Sequence, residues 1–464
     1  MLKFLTCCIV INKRNFKMPS CRQTQKQMKF LAALLLASLL LSVGCSDSVD
    51  PEEPSFPDYL RANFDLKTTP EAIPYPDQNV ASDDRIALGR LLFFDPILSG
   101  DKDVSCATCH HPAFAWGDGR DVSIGVGGIG LGPDRVRGII GEPTQFLTPR
   151  NSPTVLDAAF NRPFEGDENW DGRMFWDGRL TSLEDQARAP IRSADEMRHE
   201  AYTAPEALTR VLERLQEVPE YISLFEESFP EVAATVLDQF GPDFEHLVIN
   251  GDTYSRAVAA YERELCTADS PFDQFVRGND EALNSSQQRG LELFFKRDCA
   301  SCHSGAMFSD YDFHVLGVKQ GGGGKPQIHD GGDGSDLGRY LSSGAAVDRY
   351  AFRTPTLRNI ALTAPYFHTG GVGTNGDYQT LRSVIEFHVR GGNDEELPPN
   401  QISPLVTPIE LDEQQISDLV AFLESLTATR LLSDRVDPTV PASVPSGLTT
   451  VPVLPPSLDN NFPR

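Results

Sequence analysis

The chain has 464 residues, 40% of them hydrophobic and 23% charged, a globular composition long enough for two domains that each bury a core. It carries 41 Lys and Arg against 66 Asp and Glu, a formal net charge of −25. Such a surface repels nucleic acid and anionic membrane and favours a basic protein partner.

Residues 1–27 read as an upstream extension, because Met18 and Met28 both offer later starts. The apolar run 31–43 follows Lys26 and Lys29 and ends at Gly44-Cys45, the pattern of a secretory signal rather than a transmembrane span. Cys45 after the small residue predicts lipidation, with 1–45 as the signal segment and 46–58 as an acidic, proline-containing tether. The expected location is therefore the periplasm or cell envelope, with membrane contact only through the lipid.

Two domains are expected beyond the tether, at 59–250 and 251–428. In the first, Ala87-Leu-Gly-Arg-Leu-Leu-Phe-Phe94 has helical apolar spacing and precedes Cys106-Ala-Thr-Cys109-His110. In the second, Arg289-Gly-Leu-Glu-Leu-Phe-Phe295 precedes Cys299-Ala-Ser-Cys302-His303, with Ser285-Ser286-Gln287-Gln288 as a capping box. Cys-x-x-Cys-His is the attachment signature of haem c: two sulfurs reach one porphyrin edge and the following imidazole ligates the iron. A thioredoxin-like pair does not need the histidine, and a zinc site needs two more soft ligands. Two haems c are therefore expected, on Cys106, Cys109 and His110 and on Cys299, Cys302 and His303. Cys266, after an apparent helix at 253–265, reads as a small buried residue. A further amphipathic helix at 411–426 would pack across the second repeat. The fold class is mainly α, with two tandem cytochrome c-like domains and long irregular loops, glycine-rich at 121–148 and 318–346. The Pro-rich tail 429–464 reads as a segment that wraps the surface or stays disordered.

A haem with two strong axial ligands carries electrons, whereas an open face binds peroxide or oxygen. No histidine occurs between 111 and 199, and His111 cannot reach the far face of the ring held by His110. This points to an open first haem, with Met174 and Met197 as alternative ligands.

The strings Pro149-Arg-Asn-Ser-Pro-Thr-Val155, Phe175-Trp-Asp-Gly-Arg179, Ser270-Pro-Phe-Asp273 and 354–368, which ends Ala364-Pro-Tyr-Phe-His368, resemble the bacterial di-haem cytochrome c peroxidases and their MauG-type relatives. The resemblance runs from about residue 81 to 426. It implies a peroxide site at the first haem and electron storage at the second. It also implies catalytic roles for Trp176 between the haems, for Gln186 in orienting peroxide and for Glu196 in moving a proton. Typical peroxidases carry a displaceable histidine where this chain has Pro143, so the first haem should be permanently open, as in MauG-type enzymes. At the second haem, alignment on Leu381 and His368, with an insertion at 373–378, puts His388 where relatives have methionine or tyrosine. His303 and His388 would then be its two axial ligands, since Met307 lies too close to His303. Family calcium positions fall on Asn151, Thr363 and Pro365. The implied reaction is reduction of H2O2 with electrons from a small c-type cytochrome or copper protein. The alternatives are a MauG-type oxidase of a protein substrate and a non-catalytic electron carrier. Family members are often homodimers.

Overall fold

The computed structural model describes residues 54–137, 147–161, 172–320, 335–371 and 378–452. The signal segment, Cys45, most of the tether and Pro143 lie outside the described residues. Among the described residues no helix is long and apolar enough to cross a membrane.

Two crossed helix pairs organise the fold. In the first half, α2 (Asp83–Phe94) packs along α6 (Gly251–Glu264). In the second, α7 (Ser285–Lys296) packs along α9 (Glu413–Glu424). The repeated glycine explains the closeness of each crossing. A Cβ on Gly89 would lie 2.0 Å from the Ala257 carbonyl oxygen, and one on Gly290 would lie 1.9 Å from that of Asp418. Neither site has room for a side chain. The phenylalanines that follow fill the space beyond the crossing. Phe93 meets Trp116 and Tyr261 with ring centroids 5.7 and 5.4 Å away, while Phe294 meets Phe308 and Phe422 at 5.8 and 5.2 Å. Each buried ring contributes roughly 1.5–3 kcal/mol through removal from water.

The helix α7 starts one residue earlier than its sequence suggests. Asn284 is the cap, accepting from Ser286 and Gln287, and Gln287 returns a bond to the Asn284 N–H. Asn284 has the extended backbone that a cap requires, so Ser285 becomes the first helical residue.

Between the first pair lie α3 (Ala204–Gln216), α4 (Pro219–Ser228) and α5 (Pro230–Phe240). Val211, Leu215, Tyr221 and Phe225 from this group join Leu92, Tyr254 and Ala257 in one core. The helix α6, within the predicted second domain, thus packs with the first haem motif's half. The second half is completed by α8 (Leu381–Val389). Among the described residues sheet is confined to two-residue strands: β1 (Gly128–Ile129) with β2 (Val136–Arg137), β3 (Thr267–Ala268) with β6 (Arg430–Leu431), and β4 (Phe313–His314) with β5 (Phe352–Arg353), all antiparallel.

The chain ends are exchanged between the halves. Helix α1 (Phe56–Asn63), starting inside the predicted tether, buries Leu60 in the second half's core, and Phe64 stacks on Phe295 at 5.0 Å. At the other end, 429–452 runs as a strap over the first half. Val436 and Val444 are buried near Phe93 and Trp116, the Ser446 hydroxyl donates to Asp95 at 2.7 Å, and Arg435 meets fully buried Glu264 at 3.0 Å. Proline does not prevent this, because an extended strap needs few of its own N–H groups for hydrogen bonding.

Gly89→Ala and Gly290→Ala should each destabilise the haem-loaded protein by about 1–3 kcal/mol, the usual cost of forcing a methyl group into a filled crossing. Chemical denaturation of each variant against the parent checks this, and an unchanged midpoint would mean that the helix pairs do not approach so closely.

Candidate di-haem site

Each Cys-x-x-Cys-His motif is a single tight turn. Cys106–Cys109 forms one helical turn, with the Ser105 N–H donating to the Thr108 hydroxyl at 3.0 Å, and the His110 N–H returns to the Cys106 carbonyl. The His303 N–H returns in the same way to Cys299. Nδ1 of His110 lies 3.1 Å from the Trp116 carbonyl oxygen, and Nδ1 of His303 lies 3.0 Å from that of Phe308. A carbonyl can only accept, so Nδ1 carries the proton and Nε2 is left with its lone pair for a metal. Trp116 and Phe308 both adopt the left-handed backbone, with φ of 61° and 51°, which carries their carbonyls back over the imidazoles. Burial pushes both histidines down in pKa, holding them neutral as ligation demands.

All four motif sulfurs are unpaired, so no bond between them competes with attachment to a porphyrin edge. Burial pushes the Cys109 thiol up to about 12 and Cys299 to about 11, so they remain neutral thiols. Among the described residues the cluster with metal-ligand spacing is Cys302, Asp310 and His314, whose single sulfur belongs to the second motif. Both motifs line one cavity of about 640 Å³, with Val104, Leu156, Val258 and Ile360 among its apolar walls. Two sulfurs, one imidazole of fixed tautomer and an apolar surround, present twice, fit haem c and not zinc.

Trp176, Gln186 and Glu196 all reach this cavity. Glu196 sits on a π-helical turn, Ala194–Arg198, a local widening common at functional positions. The glycine-rich segment 121–137 braces that turn. The Val126 N–H donates to the Glu196 carbonyl, and a Cβ on Gly125 would lie 1.8 Å from the Asp195 carbonyl oxygen. Buried Arg135 holds this segment by donating to the carbonyls of Ile124, Gly125 and Gly130. Burial raises the Glu196 pKa, Arg179 opposes and Asp195 adds to the rise. Gln186 projects from the short helix Leu183–Ala187. Trp176 is tied to both halves: its indole donates to the Asn151 carbonyl at 2.9 Å, and its own carbonyl accepts from the Arg353 N–H of β5 at 2.8 Å. Met174 and Met197 both line the cavity; Met174 Sδ accepts a long 3.8 Å contact from Asn161.

His388 projects from α8 into the cavity, flanked by Phe367 and Phe387. Burial, with the nearness of His303 and Arg390, pushes it down to about 4. Met307 instead packs with Cys266 and Tyr311. Asn151, Thr363 and Pro365 line the same cavity, and the Asn151 amide N–H donates to the Arg120 carbonyl, leaving its amide oxygen for another partner.

Sequence reasoning missed the ionic lock between the halves. Arg150 donates twice to Asp336, at 2.6 and 2.8 Å, and once to Asp177 at 2.8 Å, while Arg179 also meets Asp177. His368 stacks on Phe352 at 3.5 Å and lies 6.4 Å from the Trp176 ring. Arg150 and Asp177 do stand inside motif strings, which was the available signal; Asp336 had none.

Residues 83–281 match the family model described as di-haem cytochrome c peroxidase, and 287–427 match that of cytochrome c. The chain is 34% identical over 372 residues to the methylamine utilization protein MauG of Methylorubrum extorquens, covering 80% of this chain and 84% of that one. It is 32% identical over 379 residues to the cytochrome c551 peroxidase of Pseudomonas aeruginosa, covering 82% and 88%. Among solved structures, a MauG-like protein associated with microbial copper homeostasis superposes with a TM-score of 0.60 at 29% identity, covering 81% of this chain and 98% of that one.

Burial works against ionisation of Asp336, yet the hydrogen bonds and charge of Arg150 hold its carboxyl well below the usual range. Asp177 is lowered in the same way by Arg150 and Arg179. Both carboxylates therefore add stability above the ordinary carboxylate pKa of about 4, and that stability is lost as pH falls through their lower folded values. Asp336→Asn should cost about 3 kcal/mol at neutral pH and flatten the acid limb of a stability-versus-pH curve. A curve unchanged in shape would mean that the lock is not formed.

Proposed function

We propose that this chain, which belongs to the family of di-haem cytochrome c peroxidases and MauG proteins, reduces hydrogen peroxide to water with electrons from a small external redox protein. It is an oxidoreductase with two haems c. The balance is H2O2 with two electrons and two protons giving two waters, so the protein must bring protons and electrons together. When bound, the haem on Cys106, Cys109 and His110 supplies the iron face that takes peroxide, and the one on Cys299, Cys302, His303 and His388 supplies electron storage.

The observation that carries this reading is a half-buried carboxyl lining the cavity, Glu196, whose pKa is raised and which acts electrostatically on Cys106 and Cys109 of the first motif. A carboxyl in that state accepts a proton from one peroxide oxygen and returns it to the other, work that a fully ionised surface carboxylate does poorly. Arg179 bounds the rise and keeps Glu196 able to ionise. The Gln186 amide orients peroxide without changing charge, and Trp176, bonded to both halves, lies on the path by which the second electron returns. His388 closes the second site, and its imidazole, a stronger donor to ferric iron than a thioether, lowers that potential. Asn151, Thr363 and Pro365 offer oxygen ligands to one Ca2+ between the halves. The strongly acidic chain suits a basic donor such as a small c-type cytochrome or a copper protein, and the apolar run before Cys45 fits export with a lipid anchor.

A second reading is favoured by the similarity to MauG proteins and by the lack of histidine between 111 and 199. It is oxidation of another protein's side chain. It predicts that peroxide changes the haem spectrum without consuming a donor. An electron carrier with both irons six-coordinate would show no high-spin ferric signal at all.

Glu196→Gln should slow peroxide-dependent oxidation of a reduced small cytochrome c by about 10²–10⁴-fold while leaving the resting haem spectrum intact. Undiminished turnover would sink the proton-transfer role. His388→Ala should convert the low-spin second haem to a high-spin form, read by electron paramagnetic resonance; an unchanged spectrum would remove His388 from the iron.

A further inference from the structure

A second carboxyl lies in the cavity and takes no part in the chemistry above. Glu262, near the end of α6, is 5% exposed and lines the cavity one turn beyond Val258. Its Oε2 is buried without a hydrogen-bond partner. The neighbouring guanidinium of Arg263 forks onto both Glu184 oxygens, at 2.7 and 2.8 Å, and offsets the burial of Glu262 only in part. Glu262 acts on the Cys106 sulfur, and so stands toward the edge at which the first haem is attached.

We propose that Glu262 is the redox-linked proton acceptor of the haem on Cys106, Cys109 and His110, taking up one proton when that haem takes up one electron. The step balances simply. One electron from the external donor converts ferric to ferrous iron, and hydronium gives one proton to the Glu262 carboxylate. One O–H bond breaks, leaving water, as the O–H bond of the Glu262 acid forms.

The driving force is electrostatic. A carboxylate with one oxygen buried and unpartnered in an apolar wall is costly, so this one sits close to the balance between its two forms. Burial pushes it up to about 8, Arg263 opposing and Glu184 adding. Reduction places one more negative charge in the same low-dielectric space, which favours the protonated form further. By reciprocity, the proton then makes the electron easier to hold.

The groups around it do not duplicate this behaviour. Glu184 comes from the Leu183–Ala187 helix, and Tyr254 and Tyr261 from α6 itself, both phenols pushed far up by burial. From α2, Arg85 is turned to Glu231 and Arg90 to Asp437. Glu196, on its π turn, is the other carboxyl acting on Cys106.

The sign follows. At pH below the oxidised-state pKa the acid is protonated in both redox states and the potential is flat. Above it the potential falls as pH rises, until the reduced-state pKa is passed.

The inference rests on a haem at the first motif and not on peroxide as substrate. Its test is spectroelectrochemical titration of the haem-loaded protein from about pH 6 to about 10, a window spanning the raised value, following the haem that is high-spin at rest. The potential of the parent should fall with pH in the upper part of this window. Glu262→Gln should be flat there, and Glu196→Gln should keep the slope. Reduced-minus-oxidised infrared spectra of the parent should show a protonated-carboxyl band absent from Glu262→Gln. A flat parent, a slope that survives Glu262→Gln, or one abolished by Glu196→Gln alone would overturn the assignment. Should Glu262→Gln fail to load haem, an indicator dye in weak buffer decides on the parent protein. Proton uptake on reduction near the raised pKa supports the proposal and its absence refutes it. Loss of peroxide turnover with the slope retained would count against the peroxidase reading alone.

Discussion

Everything in the site depends on one hydrogen bond made twice: a half-buried histidine Nδ1 held by the carbonyl of an aromatic residue a few positions downstream. That carbonyl points back because Trp116 and Phe308 hold left-handed backbones, a conformation that is costly for large side chains. The rings themselves offset the cost. Each is pinned between a phenylalanine from the helix before the motif and an aromatic residue from the helix that crosses it. Ligand chemistry therefore traces back to helix packing, and helix packing to two glycines that let the backbones touch.

The two copies of this device differ in what faces them. Around the first are two carboxyls, Glu196 on its widened turn and Glu262 in the apolar wall, together with the Gln186 amide. Around the second the half-buried imidazole of His388 lies against Phe367 and Phe387. Trp176 is bonded to both halves, and Arg150 locks them through Asp177 and Asp336. Carboxyls thus gather about the first motif and the His388 imidazole about the second, with the Arg150–Asp336 ion pair across the join.

The haem attachment residues were legible because covalent bonding to one porphyrin edge requires a contiguous spacing that survives any fold. The helical repeat before each motif was legible by period, although its glycine meant nothing until the crossing was seen. Trp176, Gln186, Glu196 and His388 have no local signature; ten-residue gaps between side chains carry no periodic meaning, and only family resemblance singled them out. The carbonyls of Trp116 and Phe308 were invisible in principle, since every residue has one and only the backbone angle decides where it points. Glu262 reads as one more acid in an amphipathic helix, with Arg263 and Glu264 beside it. The tail's composition left wrapping and disorder both open, and the structure shows the wrap, anchored by Val436 and Val444, two residues spaced apart in a polar segment.

The exchanged ends have a consequence for how such a chain is made. A ribosome releases α1 long before the second-half core against which Leu60 packs, and it releases the strap after every other element of the first half is complete. The second half therefore waits only for its own core, because α1 is already made, whereas the first half keeps an open seam beside Phe93 and Trp116 until 429–452 has been added.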